Sequence, residues 1–484
     1  MRLNITRLMR TALPLAVLLL TACGGTTRYI TIGGTVTGLT GTGLTGSVVL
    51  QDNSVDNLTV PANGAFTFAT EVSSFENVYN VTVLTQPAGQ TCVVTFGSGT
   101  ATTSVTSVQV KCANTPPRYA YVVNAGSNDI SQYTIAANGT LTVIAAPVAA
   151  GTTPYSITVV PSGLNAGKYA YVANKGDGTI PGTVSEYSIT NGALNTPEMA
   201  TINAGLSPYS ITVDPSGQYV YVANYGDGTV SGYTIGTGGV LTPNTTAATV
   251  AAGTNPVSIT VDPLGPYVYV ANYGSNTVSQ YKISSADGTL SELAAPVAAG
   301  LKPYSVTVDP SGKYAYVVNA MSSNVSQYTI GTPSSSTPGA LTAMSAVPAF
   351  TTTATATVAT TGMNPASVTV DPKGPYAYVA NFGDGTVSQY TIGTGGALTA
   401  MATATVAAGT NPYSVTVDPL GQYVYVANEG GNNVSQYTIG TPSSSTPGAL
   451  TAISAVPVFT TMATATTVAA VAAGAQPISV ITAQ

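Results

Sequence analysis

Three Gly-Asp-Gly triplets, at 176–178, 226–228 and 383–385, together with Glu429, are the groups in this chain best suited to act as acids or bases, because the sequence contains no histidine. That absence removes the side chain that titrates near neutral pH and the commonest metal ligand together. A Ser-His-Asp nucleophile system is excluded with it. Each triplet brings one carboxylate, which suits a hairpin turn better than a calcium loop with its several oxygen ligands, so neither a metal nor another cofactor is expected.

The three cysteines divide by position. Cys23 ends a segment that opens with Arg2, Arg7 and Arg10, continues through an apolar run from Ala12 to Leu20, and closes on Leu20-Thr21-Ala22-Cys23-Gly24. The run is too short for a permanent membrane span and reads as an export signal. Its end resembles the lipobox of bacterial lipoproteins. That resemblance implies a signal peptide over 1–22, acylation of Cys23, a lipidated linker over 23–28 and anchoring to the membrane of the cell envelope. Gly24 in place of an acidic residue points to the outer membrane. Acyl chains would hold firmly, each buried methylene contributing about 0.8 kcal/mol. Cys92 and Cys112 then remain as an isolated pair in an exported chain, where a disulfide is the natural state.

Only 6% of residues are charged, against roughly 25% in a typical soluble domain. Abundant Val, Thr, Tyr and Gly favour strands and turns, so the chain is expected to be all-β. Beyond Cys23 it carries nine basic and eighteen acidic residues, a net −9 (twelve basic residues less the three arginines of the signal). No basic patch is available to neutralise phosphates, and nucleic acid is excluded as a partner.

From 29 to 113, short apolar stretches (Tyr29–Ile32, Gly46–Leu50, Ala65–Ala69, Tyr79–Leu84, Val105–Val110) alternate with turn residues. This spacing predicts a small β-sandwich. From 117 to 484 the chain repeats. Tyr-(Ala/Val)-Tyr-Val-(Ala/Val)-Asn occurs seven times, with its Asn at 124, 174, 224, 272, 319, 381 and 428. A second motif, Pro-x-Ser followed by β-branched residues, also occurs seven times, at Pro154, Pro208, Pro256, Pro303, Pro365, Pro412 and Pro477, but out of phase. The first Tyr-rich element has no Pro-x-Ser strand before it, and the last Pro-x-Ser strand has no Tyr-rich element after it. A seven-bladed β-propeller closed by its C-terminal strand accounts for both leftovers.

Within 208–253, strands are predicted at Tyr209–Val213 (a), Tyr219–Ala223 (b), Thr229–Ile235 (c) and Ala247–Ala251 (d). Asp214-Pro215-Ser216-Gly217 has type I turn preferences. The recurring Asp214, Asp262, Asp309, Asp371 and Asp418 are accordingly read as turn-formers, with a ring of catalytic carboxylates as the alternative. A near-copy of 324–343 at 433–452 marks a two-blade duplication, and its Ser/Thr/Pro-rich insertion is expected to form mobile c–d loops.

In a propeller the d–a and b–c loops share one face around the central channel. Here the d–a loops bring Tyr155, Tyr209, Tyr304, Tyr413 and Lys302. The b–c loops bring the motif Asn and its followers Lys175 and Asp177, Tyr225 and Asp227, Tyr273, Phe382 and Asp384, and Glu429. Such a face stacks on and hydrogen-bonds a sugar or peptide. In the competing reading, each Tyr packs blades and each Asn caps strand b.

The Tyr-Val-Ala-Asn and Tyr-Val-Val-Asn motifs resemble those of the YVTN family, within the lactonase-like seven-bladed propellers that include 6-phosphogluconolactonases and surface-layer repeat domains. The resemblance covers about three quarters of the chain. It implies the fold; fold alone does not fix function. The family's proposed catalytic His and Arg have no counterparts: His is absent, and the arginines beyond the signal, Arg28 and Arg118, fall outside the face loops. The expected function is a monomeric, non-catalytic binding or structural scaffold for a glycan, peptide or protein, with a lactonase-type hydrolase of a sugar lactone as the alternative.

Overall fold

The computed structural model describes residues 29–40, 47–73, 77–87, 90–114, 118–244, 248–344, 359–453 and 470–483; the signal segment 1–22, Cys23 and the linker 23–28 lie outside them. Among the described residues no helix is long and apolar enough to cross a membrane. Two compact units divide between Thr115 and Pro116.

The first unit contains two four-stranded sheets. One orders Gly64–Thr67, Ile32–Thr37, Val105–Asn114 and Gln90–Thr95; the other orders Asp56–Val60, Val48–Asp52, Val78–Thr85 and Ser98–Thr100. Period-two alternation makes this possible: Val48, Leu50 and Asp52 are buried while Val49 and Gln51 are half-exposed. Ile32, Val36, Val48, Leu50 and Val108 are fully buried in the core. Cys92 and Cys112 face each other directly in adjacent antiparallel strands and are joined as a disulfide.

The second unit consists of seven antiparallel sheets, each a propeller blade. Blade 1 contains Arg118–Asn124, Asp129–Ile135 and Leu141–Ala149, with Pro477–Ala483 from the far end of the chain as its innermost strand. Blades 2 to 7 begin with inner strands Pro154–Val159, Pro208–Val213, Pro256–Val261, Pro303–Val308, Pro365–Val370 and Pro412–Val417. Each inner strand packs on the next, and Pro477–Ala483 sits between those of blades 7 and 2, so the ring is closed. An ion pair reinforces the closure: Arg118 of blade 1 meets Asp418 of blade 7, both buried.

Strand b has no polar face, and the structure covers both of its sides; in Tyr219–Asn224 every residue is buried. The second Tyr of each motif donates its hydroxyl to a glycine carbonyl of the neighbouring blade. The pairs are Tyr121 to Gly192, Tyr171 to Gly239, Tyr221 to Gly288, Tyr269 to Gly339, Tyr316 to Gly396, Tyr378 to Gly448 and, across the closure, Tyr425 to Gly139, at 2.6–2.8 Å. Strand c carries a second set, Tyr133, Tyr187, Tyr233, Tyr281, Tyr328, Tyr390 and Tyr437, each donating to a backbone carbonyl of the preceding blade's outer strand. A buried phenol thus keeps its hydrogen bond while its ring fills the space between sheets.

The recurring aspartates close the a–b turns: Asp214 accepts the N–H groups of Gln218 at 2.8 Å and Tyr219 at 2.7 Å, Asp309 and Asp418 repeat both bonds, and Asp262 and Asp371, with Pro266 and Pro375 in the matching place, accept the N–H two residues on. The tip of the duplicated Ser-rich segment is held by its own backbone. Gly331 N–H donates to Ala340 at 2.9 Å and Ser335 N–H to Thr332 at 2.9 Å, so it forms a hydrogen-bonded hairpin tip. The rest of each insertion, 345–358 and 454–469, lies outside the described residues.

Candidate functional site

The face is built on one repeated device. In all seven blades the residue before the inner-strand Pro is left-handed, with φ of 49–57°: Thr153, Ser207, Asn255, Lys302, Asn364, Asn411 and Gln476. Three of the seven are Asn, which tolerates this conformation best among non-glycine residues. The motif Asn holds the loop from below. Its amide donates to a strand-c serine in every blade, at 2.9–3.0 Å. Its carbonyl oxygen accepts the N–H of a d–a glycine in five blades, at 3.0–3.1 Å. In the other two, Asn124 and Asn319, that oxygen is buried without a partner. The motif Asn is therefore a clasp in the fold, and its followers carry the chemistry of the face.

Four of the seven inner strands place a Tyr second: Tyr155, Tyr209, Tyr304 and Tyr413. The Tyr413 hydroxyl bonds to that of Tyr155 at 3.0 Å and to that of Tyr304. These residues belong to blades 2, 5 and 7, so their hydroxyls meet over the channel axis and roof its mouth. Around the roof, Tyr225 stacks on Tyr209 with centroids 4.9 Å apart, Tyr273 meets Tyr304 edge-on at 5.9 Å, and Phe382 meets Tyr413 edge-on at 6.0 Å. Lys175 lies over the rings of Tyr155 and Tyr209, at 5.6 and 5.3 Å, and Lys302 over Tyr273 at 4.4 Å. Of the predicted face residues, the aromatic and lysine side chains are thus brought into one connected cluster.

The carboxylates are placed differently. Asp177 is spent within its own turn, accepting the N–H and hydroxyl of Thr179 at 2.9 and 2.8 Å; the amide chiefly holds its carboxyl below the ordinary range. Asp227 accepts the N–H of Leu206, and Asp384 that of Met363 at 3.0 Å, so each clamps a d–a loop. Glu429 is half-buried, and burial raises its carboxyl above the ordinary range. Burial also lifts the Tyr155 phenol to about 12 and those of Tyr304 and Tyr413 higher still, so the roof consists of neutral hydroxyls. Among the described residues no group of three acidic or Cys side chains could hold a metal.

A family model described as Lactonase, 7-bladed beta-propeller, matches residues 161–462, more than half of the chain. The chain belongs to this seven-bladed lactonase propeller family. No curated protein matches it in sequence. Among solved structures, the lactonase propeller is similar to a Bacteroides uniformis protein provisionally assigned as a 6-phosphogluconolactonase, at 16% identity and TM-score 0.61, covering 76% of this chain and 100% of that one. It is also similar to the periplasmic gluconolactonase of Pseudomonas aeruginosa, at 19% identity and TM-score 0.57, covering 76% and 99%. A Lactobacillus plantarum protein matches at 23% identity and TM-score 0.57, covering 76% and 99%. At these identities the likeness concerns the fold of the lactonase propeller; its site has to be read from its own residues.

Sequence reasoning grouped the right loops but missed the meeting of Tyr155, Tyr304 and Tyr413. The signal was available: the residue after the inner-strand Pro is Tyr in four blades and Val257, Ala366 or Ile478 in the others.

Proposed function

We propose that the propeller is a non-catalytic binding module of an envelope lipoprotein, tethered through Cys23 and presenting its aromatic face to a glycan or peptide. The observation that carries this reading is the tyrosine roof. Neutral hydroxyls, bonded to one another, occupy the channel mouth where a hydrolase needs a base. Asp177 is engaged by the amide and hydroxyl of its own Thr179, and no histidine exists to replace it. The half-buried ring faces and two ammonium groups instead suit stacking and hydrogen bonding to a ligand.

The alternative, opening of a sugar lactone, is favoured by family membership and by Glu429, whose raised carboxyl is the best candidate base on the face. A glycan and peptide array probed with the intact protein tests the first reading. Binding that is lost in Tyr304→Ala and Lys302→Ala supports it. Failure of every array member to bind, or binding indifferent to every substitution on the face, overturns it. Anchoring is tested separately: Cys23→Ser should leave the membrane fraction and stop incorporating labelled fatty acid, and retention of both would overturn the tether.

A further inference from the structure

Beside the roof, at the rim of blade 3, lies a cavity of about 290 Å³ lined by Tyr225, Gly226, Asp227, Gly228, the 252–254 backbone and Asn255. Its construction recurs once more around the ring, at Phe382, Gly383, Asp384, Gly385, the 408–410 segment and Asn411. The correspondence extends to the bonds. Asn255 donates its side-chain amide to the Tyr225 carbonyl at 3.1 Å, and Asn411 to that of Phe382 at 3.2 Å. The N–H of Ala252 donates to Gly228 at 2.8 Å, and that of Ala408 to Gly385 at 2.8 Å. Asp227 and Asp384 each accept one d–a amide from the matching position, Leu206 and Met363.

No other blade repeats this set. Blade 2 has Lys175 in the aromatic position and an aspartate engaged by Thr179. Blade 4 keeps Tyr273 but follows it with Ser275 and Asn276, and Lys302 replaces the loop Asn. Blades 1 and 5 have Ala125 and Ala320 in place of the aromatic residue, and blade 7 has Glu429 there.

We infer that the two rims, at Tyr225–Asp227–Asn255 and Phe382–Asp384–Asn411, are equivalent subsites for the neutral sugar rings of one glycan, making the face bivalent. The inference rests on the binding reading above and specifies its ligand. Each rim joins an aromatic ring to a solvent-exposed carboxylate. A carboxylate offers about four acceptor positions, and one backbone amide leaves several for ligand hydroxyls. The same negative charge disfavours an anionic sugar. Two weak sites on one rigid ring bind a repeating polymer more tightly than either binds alone.

Calorimetric titration of the intact protein with maltotriose, cellotriose, mannotriose and N-acetylchitotriose, with trigalacturonic acid as the anionic member, tests this. The expected result is that at least one neutral trisaccharide binds with two sites per chain and trigalacturonic acid with none. Asp227→Asn and Asp384→Asn keep an acceptor for the loop amide, so each should leave one site unchanged and weaken the other at least about tenfold, the effect of losing a charge-assisted hydrogen bond. Unaltered melting temperatures would show that the loops still fold. A single site abolished by Lys302→Ala, or a peptide ligand alone, overturns the two-rim inference and leaves the binding reading standing. Two sites indifferent to both substitutions, or preferential binding of trigalacturonic acid, also overturn it. Absence of any ligand overturns both.

Discussion

Two sets of tyrosines occupy the propeller, and they obey different rules. The second Tyr of strand b and the Tyr of strand c occur in every blade, are buried, and donate to a backbone carbonyl of a neighbouring blade. Those at the channel mouth occur in four blades only, are half-buried, and make hydroxyl contacts with one another. The contrast teaches how to read a closed repeat. A feature present seven times satisfies a need that every blade shares, which is packing and polar satisfaction. A feature that breaks the sevenfold pattern is not dictated by that need, so the departures at the channel mouth are the candidates for a site.

The largest expected effect concerns the shared features. Removing 477–484 takes away the inner strand of blade 1, unpairs 119–124, and strips the buried Ile478 and Val480, each contributing about 1.5–3 kcal/mol. Aggregation or a large fall in melting temperature should follow, and a melt within a degree or two of the intact protein would contradict ring closure. Next in size, Cys92→Ser with Cys112→Ser should lower the stability of the first unit by about 3 kcal/mol, seen as a shift in its thermal transition with the propeller's unchanged. A direct comparison of the two tyrosine sets comes third. Tyr269→Phe leaves the buried Gly339 carbonyl without its donor, at about 1–3 kcal/mol. Tyr413→Phe should cost no more than about 0.5 kcal/mol and act on ligand binding instead. Equal losses in chemical denaturation would erase the distinction drawn between the sets.

A smaller effect is electrostatic. Burial raises Glu429 above its usual 4.5, so the folded chain holds this proton more tightly than the unfolded chain does. The resulting contribution is complete below pH 4.5 and is lost as pH rises through the raised folded value. Glu429→Gln should therefore flatten the decline of melting temperature above that point, and an unchanged slope would show that the carboxylate is better solvated than its position implies. Smallest of all, lengthening the Ser-rich tip at 333–338 should change stability little, because each doubling of a flexible loop costs about 0.6 kcal/mol. The adjoining Gly339 contact to Tyr269 is left in place.

Much of the fold was legible because each blade states its needs in a short motif. The out-of-phase Pro-x-Ser and Tyr-rich elements predicted the closing strand, which pairs with Arg118–Asn124 as expected. Less legible was the outer strand. In blade 3 the expected stretch Ala247–Ala251 is preceded by a separate Leu241–Pro243, because the edge of a blade needs apolar residues on one side only and its pattern is weak. In the first unit, Asp56–Val60, Gln90–Thr95 and Ser98–Thr100 escaped notice for a related reason: polar Asn57, Thr59, Thr91, Thr95, Ser98 and Thr100 fill most of their exposed positions. The face residues could be assigned to their loops, yet contacts such as Tyr304 with Tyr413, 109 positions apart, depend on ring geometry that no local pattern encodes.

The central claim is that this lactonase-family propeller holds a ligand without transforming it. The most direct test is the rate at which the intact protein opens gluconolactone and its 6-phosphate, compared with buffer alone. The account predicts no acceleration. Acceleration that disappears when Asp177, Asp227, Asp384 and Glu429 are neutralised together would contradict it and establish the face as an active site.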